Sequence, residues 1–200
     1  MTFNSDIFPE LNHELIIPLQ PFSDQELWQF WTTYPHQHRY LVMIFFRYAF
    51  FPCQVVSSEN NIELSATYLE LLWFFIFDRI NEYQEDKTII LSELIANLTK
   101  QFLWEERLII SSTNSQKDNS ELRYFPLKYY LENNLDRLSN LERMILVVKD
   151  KFNWEDETIS QYLQQQKQRI TLAEIKAYYT QAHSHLINNL PIDIISIYLS

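Results

Sequence analysis

The sequence predicts an all-α fold built as two small helical parts, and three observations carry that expectation. No glycine occurs among the 200 residues, 16% are aromatic, and apolar side chains recur at the three- and four-residue spacing of a helix face. Phosphate-cradling loops need glycine where the backbone takes positive φ or approaches a ligand, so a nucleotide-binding loop is excluded, and tight primed hairpin turns rely on Gly and Asn-Gly pairs, so a turn-rich β fold is disfavoured. Helices joined by polar loops need glycine only optionally. With 46% hydrophobic and 21% charged residues in 24.3 kDa, the chain has enough apolar material for one domain or two small ones.

The elements follow in order. Ser23, Asp24 and Glu26 offer capping oxygens ahead of Leu27, Phe30 and Trp31, which predicts a helix over residues 23–33. Tyr40, Ile44, Phe45, Tyr48 and Phe51 share the face of a second helix, and Pro52 is expected to end or kink it. A third helix fits 62–83, with Leu64, Leu71, Phe74 and Phe75, and a fourth fits 88–104, with Leu91, Leu94, Ile95, Leu98 and Phe102. These form an expected helical bundle over 1–110. Residues 111–120, SSTNSQKDNS, lack any apolar side chain and mark a linker, drawn as 111–122.

Beyond it, Phe125, Tyr129, Leu131, Leu135 and Leu138 predict one helix, and Leu141, Ile145 and Val148 the next. Asn153 and the carboxylates of Glu155, Asp156 and Glu157 then supply a cap for a short helix carrying Ile159, Tyr162 and Leu163. Thr171 can cap a last long helix whose buried face is Ile175, Tyr178, Tyr179, Ala182, Leu186 and Leu190, up to Pro191. The domain expected over 123–200 therefore has a helix-turn-helix plan.

Charge narrows function. The net charge is −10; residues 1–110 hold 15 acids and 6 bases, and 111–200 hold 11 acids and 10 bases. Phosphate contacts come from Lys and Arg, so the chain is a poor general polyanion binder and any nucleic-acid role is local or assisted. Between 158 and 190 there are three bases, Lys167, Arg169 and Lys176, against the single acid Glu174. A single cysteine, Cys53, allows no internal disulfide and fits a reducing cytoplasm; an acidic start to the chain is the wrong sign for a signal peptide. The apolar stretches 40–51 and 69–77 are too short for a span of about 20 residues.

Other constellations read as ordinary surface chemistry. His183 and His185 lie about 200° apart on a helix and cannot share an ion, and His36 and His38 have no third ligand nearby in sequence. Neither a metal site nor a cofactor is expected. The aromatic stripes at 28–51 and 73–83 read as core or partner interface rather than a base-stacking platform, because the region is acidic. Nothing in the residues assembles an enzyme site.

The run 138–146, LSNLERMIL, with 154–163, WEDETISQYL, then Ala182 and the segment from Leu186 to Pro191, resembles the C-terminal helix-turn-helix, region 4, of bacterial sigma factors. The segment 44–48, IFFRY, followed by the Leu-Trp-Phe-rich 69–77, is similar to region 2 of sigma-like proteins of cyanobacteria. This order of two regions about a polar linker implies a small sigma-type factor that recruits core RNA polymerase to promoter DNA. The resemblance implies DNA contacts from Lys167, Arg169, Thr171, Lys176, Thr180 and Gln181, weak without polymerase, and partner contacts from Leu69, Leu72 and Trp73. Residues 68–72, YLELL, carry leucines where the family's polymerase-binding helix has a Gln-Glu pair. That difference keeps a second expectation open, a degenerate sigma-like scaffold acting as a protein-interaction adaptor without promoter activity.

Overall fold

The computed structural model describes residues 7–60, 64–105 and 121–200, and all regular secondary structure among them is helical. The α-helices are α1 (Asp24–Thr33), α2 (Arg39–Tyr48), α3 (Phe51–Asn60), α4 (Ala66–Ile80), α5 (Leu91–Glu105), α6 (Phe125–Arg137), α7 (Asn140–Asp150), α8 (Asp156–Gln165), α9 (Leu172–Asn188) and α10 (Ile192–Leu199). They form two compact units, the first containing Met1–Leu127 and Pro191–Ser200, the second Lys128–Leu190.

In the first unit, α1 starts on a reciprocal capping box: the Ser23 hydroxyl accepts the Glu26 N–H, and the Glu26 carboxylate accepts the Ser23 N–H at 2.7 Å. The centre is α2, in which every residue from Tyr40 to Phe46 is buried. No single helix among the described residues is long and apolar enough to cross a membrane; α2 and α3 reach that length and apolarity only together, across a bend, and the pair includes this buried core segment. Pro52 differs from expectation. The second helix already stops at Tyr48, and Pro52 is the second residue of α3, where its missing N–H would have had no partner anyway.

Aromatic rings fill the core of this unit. Phe45 meets Trp73, Phe77 and Phe125 with ring centroids 5.0, 6.1 and 5.1 Å away, and the Trp73 indole N–H donates to the Ala49 carbonyl at 2.9 Å. Arg47 is pinned by Asp24 at 2.6 Å and donates to the Phe22 and Gln20 carbonyls, while the Tyr48 hydroxyl donates to the other Asp24 oxygen. Burial, with that bond to Asp24, raises the Tyr48 pKa far above the usual phenol range.

The unit boundaries correct the division expected at residue 123. Residues 123–127 and 191–200 belong to the first unit because of what they bury there. Phe125 is fully buried against Phe45, Phe74 and Phe77, Ile194 and Ile197 are buried, and the Asp193 carboxylate accepts the Arg39 N–H that opens α2, at 3.1 Å. Helix α10 had no counterpart in the sequence reading, which stopped at Pro191. Of the expected linker, residues 111–120 lie outside the described residues, and Leu122 is buried in a short 3-10 turn over Glu121–Tyr124.

The second unit has a small, mainly aliphatic interior. Ile145 of α7, Ile159 and Leu163 of α8 and Ile175 of α9 form one cluster; Leu138, Leu146, Ala182 and Leu186 form another, with Leu131 and Leu135 of α6 against it. Asn134 is buried and donates to the Leu186 carbonyl at 3.0 Å, which closes the α9 end onto α6. Capping boxes start both α7, with Ser139 and Glu142, and α9, with Thr171 and Glu174. The expected cap of α8 is different: Glu155 occupies the cap position without a side-chain bond, and Asn153 instead takes φ 52° in the turn.

Candidate nucleic-acid interface

The turn between α8 and α9 is built without the glycine such a turn favours. Helix α8 closes with the Gln168 N–H on the Leu163 carbonyl at 2.9 Å and the Lys167 N–H on the Gln164 carbonyl at 3.0 Å, the paired bonds of a Schellman ending. That ending requires one left-handed residue, and Lys167 supplies it at φ 63°. A β-carbon at that position costs about 1 kcal/mol relative to glycine. The chain then turns inward at Ile170, which packs against the α7–α8–α9 cluster and whose carbonyl accepts the Ser160 hydroxyl at 3.3 Å. Fixing Ile170 leaves Lys167, Gln168 and Arg169 exposed on the outside of the turn.

Each residue expected to touch DNA is exposed, but they are not equivalent. Among the described residues Lys167 and Arg169 make no ion pair, and both line an open cleft with Ser160, Gln164, Thr171 and Leu172. Thr171 is committed to its helix: its hydroxyl accepts the Glu174 N–H and donates to the Glu174 carboxylate at 2.7 Å. The Thr171 N–H, which donates to the same carboxylate at 2.8 Å, and then the hydroxyl hold the Glu174 carboxyl below the usual range, so the one acid on this segment stays ionised as a capping partner. The Lys176 ammonium lies 4.0 Å from Asp156, which Lys149 of α7 also pairs. Part of its charge is therefore offset locally, though an exposed pair of this kind is weak. Thr180 donates its hydroxyl to the Lys176 carbonyl at 3.0 Å.

The outer face of α9 follows from its buried one. Because Ile175, Ala182 and Leu186 point inward, Ala173, Ala177, Thr180 and Ser184 stack on the opposite side with Gln181 beside them, and all five are exposed. Ser184 and the exposed amides of Gln161, Gln164 and Gln165 were not singled out in the sequence. Gln164 and Gln165 stand at the end of α8, immediately before the turn. The arrangement can present a smooth helix face with two cations and several neutral donors at its leading end.

The histidines of α9 face α7. His183 Nε2 lies 3.1 Å from an Asp150 oxygen without hydrogen-bond alignment, and His185 Nδ1 lies 3.4 Å from Glu142. Asp150 also accepts the Tyr179 hydroxyl at 2.7 Å, which raises the Tyr179 pKa. The two histidines thus meet different carboxylates.

Leu69, Leu72 and Trp73, expected to bind a partner, are corrected by burial. They are 3%, 0% and 0% exposed and form the inner face of α4, where Trp73 packs on Phe45 and Phe77. Leu71 is the exposed leucine of that helix. Aromatic rings outside this core stack on one another: Phe30 lies parallel to Phe22 and Tyr40 at 5.1 and 5.4 Å, so those ring faces are already occupied.

Helices throughout the described residues, with a turn between α8 and α9 in the unit that α6 to α9 build, are thus the class that fold and site define. No protein-family model, curated protein or solved structure matches the chain.

Proposed function

We propose that the protein is a sigma factor-like transcription initiation or regulatory factor, a binding protein rather than an enzyme, acting in the cytoplasm. Core RNA polymerase is its partner and promoter DNA its target, approached through α8, the turn and α9. The observation that carries this reading is the exposed α9 face led by two exposed cations, Lys167 and Arg169. A helix fits the major groove, and residues at the start of a recognition helix reach base edges while its turn meets phosphate. Gln181 supplies a base-reading amide; Lys176 and Thr180 flank it; Thr171 holds the helix start.

Free affinity is low by the same count. Two or three cations give a log–log salt slope of about −2 to −3, against the steeper slopes of proteins that contact many phosphates. Polymerase then supplies the remaining binding energy. The burial of Leu69, Leu72 and Trp73 favours the second reading, a sigma-like scaffold that serves as an adaptor for another protein, because it removes the expected polymerase contact.

Retention of promoter fragments by the tagged full chain, with and without core polymerase, tests the proposal. Polymerase-dependent retention that falls when Lys167, Arg169 and Lys176 are changed together to Ala supports it, with the salt slope moving toward zero. Retention of a different protein, with no polymerase and no DNA, replaces it with the adaptor.

A further inference from the structure

We infer that the base sequence read by α9 is A·T-rich duplex, recognised through thymine methyl groups and adenine edges rather than through guanine. The inference rests on the DNA-binding reading above and concerns the same face. Guanine is read in the major groove chiefly by Arg or Lys bridging O6 and N7; adenine is read by Asn or Gln on N6 and N7, and thymine by apolar contact with its methyl. On the outward side of α9 stand Ala173, Ala177 and Thr180, with Gln181 beside them, all exposed.

No arginine lies anywhere on α9. Its one lysine, Lys176, sits at the flank of this face within 4.0 Å of Asp156. Thr180 has spent its hydroxyl proton on the Lys176 carbonyl, so toward a groove it offers a methyl and acceptor lone pairs. Gln181 is the one long amide on the outward face between Ala173 and Ser184, and it is exposed, with no side-chain hydrogen bond among the described residues. Lys167 and Arg169 lie beyond the helix start, on the turn, where they can meet phosphate without base information.

The test is selection from randomised duplexes by the full chain at about 50 mM salt, a range where few-contact binding is still strong enough to recover, run alone and with core polymerase. Enrichment of A·T pairs is expected, including one adenine position whose preference falls roughly tenfold in Gln181→Ala. In Gln181→Arg the preference at that position moves to guanine. Both substitutions are on an exposed side chain, and unchanged helical circular dichroism controls for folding. Enrichment of guanine at the contacted positions, or duplex retained without base preference, overturns this inference and leaves the DNA reading standing. Recovery of no duplex in either arm, or of a protein partner whose capture depends on Gln181, overturns both.

Discussion

The two units carry the same kind of secondary structure on opposite physical footings. The sequence of the first holds 18 acids and 8 bases, hence the whole net charge of −10, and that of the second holds 8 of each. Trp28, Trp31, Trp73, Phe45, Phe77 and Phe125 are fully buried in the first; the second packs mainly Ile and Leu. One unit is held by a thick aromatic core beneath an acidic exterior. The other relies on small clusters, two capping boxes and a strained turn, and it keeps an uncharged helix face beside the exposed Lys167 and Arg169. An acidic surface and a charge-balanced one are thus separated along a single chain.

The largest break in that comparison is Trp73→Ala. Emptying this site costs about 3–5 kcal/mol and orphans the Ala49 carbonyl. Amide exchange should quicken in α2 and α4 while α7 to α9 keep their protection; uniform loss across both sets would show that the two cores are not separate. Next in size is Lys167→Gly, which removes the left-handed β-carbon and should stabilise the second unit by about 1 kcal/mol while weakening DNA retention. Thermal unfolding and fragment binding measured on the same sample separate the two effects, and a destabilised variant would refute the turn assignment.

The smallest effect is acid dependence. The Ser139 side chain, first among its causes, holds the Glu142 carboxyl below its ordinary value, and Thr171 does the same for Glu174, chiefly through its backbone N–H. A carboxyl depressed in the folded state contributes stability that is fully present above its unfolded value, about 4.3, and is lost as pH falls through the folded value. The second unit should therefore lose melting temperature as pH falls below about 4.3, and Ser139→Ala should flatten that part of the profile more than Thr171→Ala, which keeps the backbone N–H. Glu26 adds a like loss in the first unit through Ser23.

Much of the helix content was legible. Ser23, Ser139 and Thr171 each stand three residues before a glutamate, and that spacing alone announces α1, α7 and α9. Helix α3 was hidden because a proline near a helix end and a proline in a first turn leave the same local signature. Helix α10 followed a leucine-proline pair that reads as a stop, and only the burial of Ile194 and Ile197 makes it an element of the first unit. At the candidate site, exposure of Lys167, Arg169 and Gln181 followed from polarity, whereas the commitment of Thr171 and the partial pairing of Lys176 depended on contacts from Glu174 and Asp156.

The sequence by itself determined that this protein is helical, that its charge is concentrated toward the beginning, and that a turn with two cations precedes a long amphipathic helix, because periodicity, capping spacing and charge are local properties of the chain. Tertiary structure alone decided which faces are accessible and which segments share a core. The leucine-tryptophan face of α4 is periodic whether it meets a partner or its own Phe45, and the choice rests on what lies across from it in space. Likewise, Pro191–Ser200 follows α9 in sequence and belongs with α2, because Asp193 supplies the hydrogen bond that the start of α2 lacks.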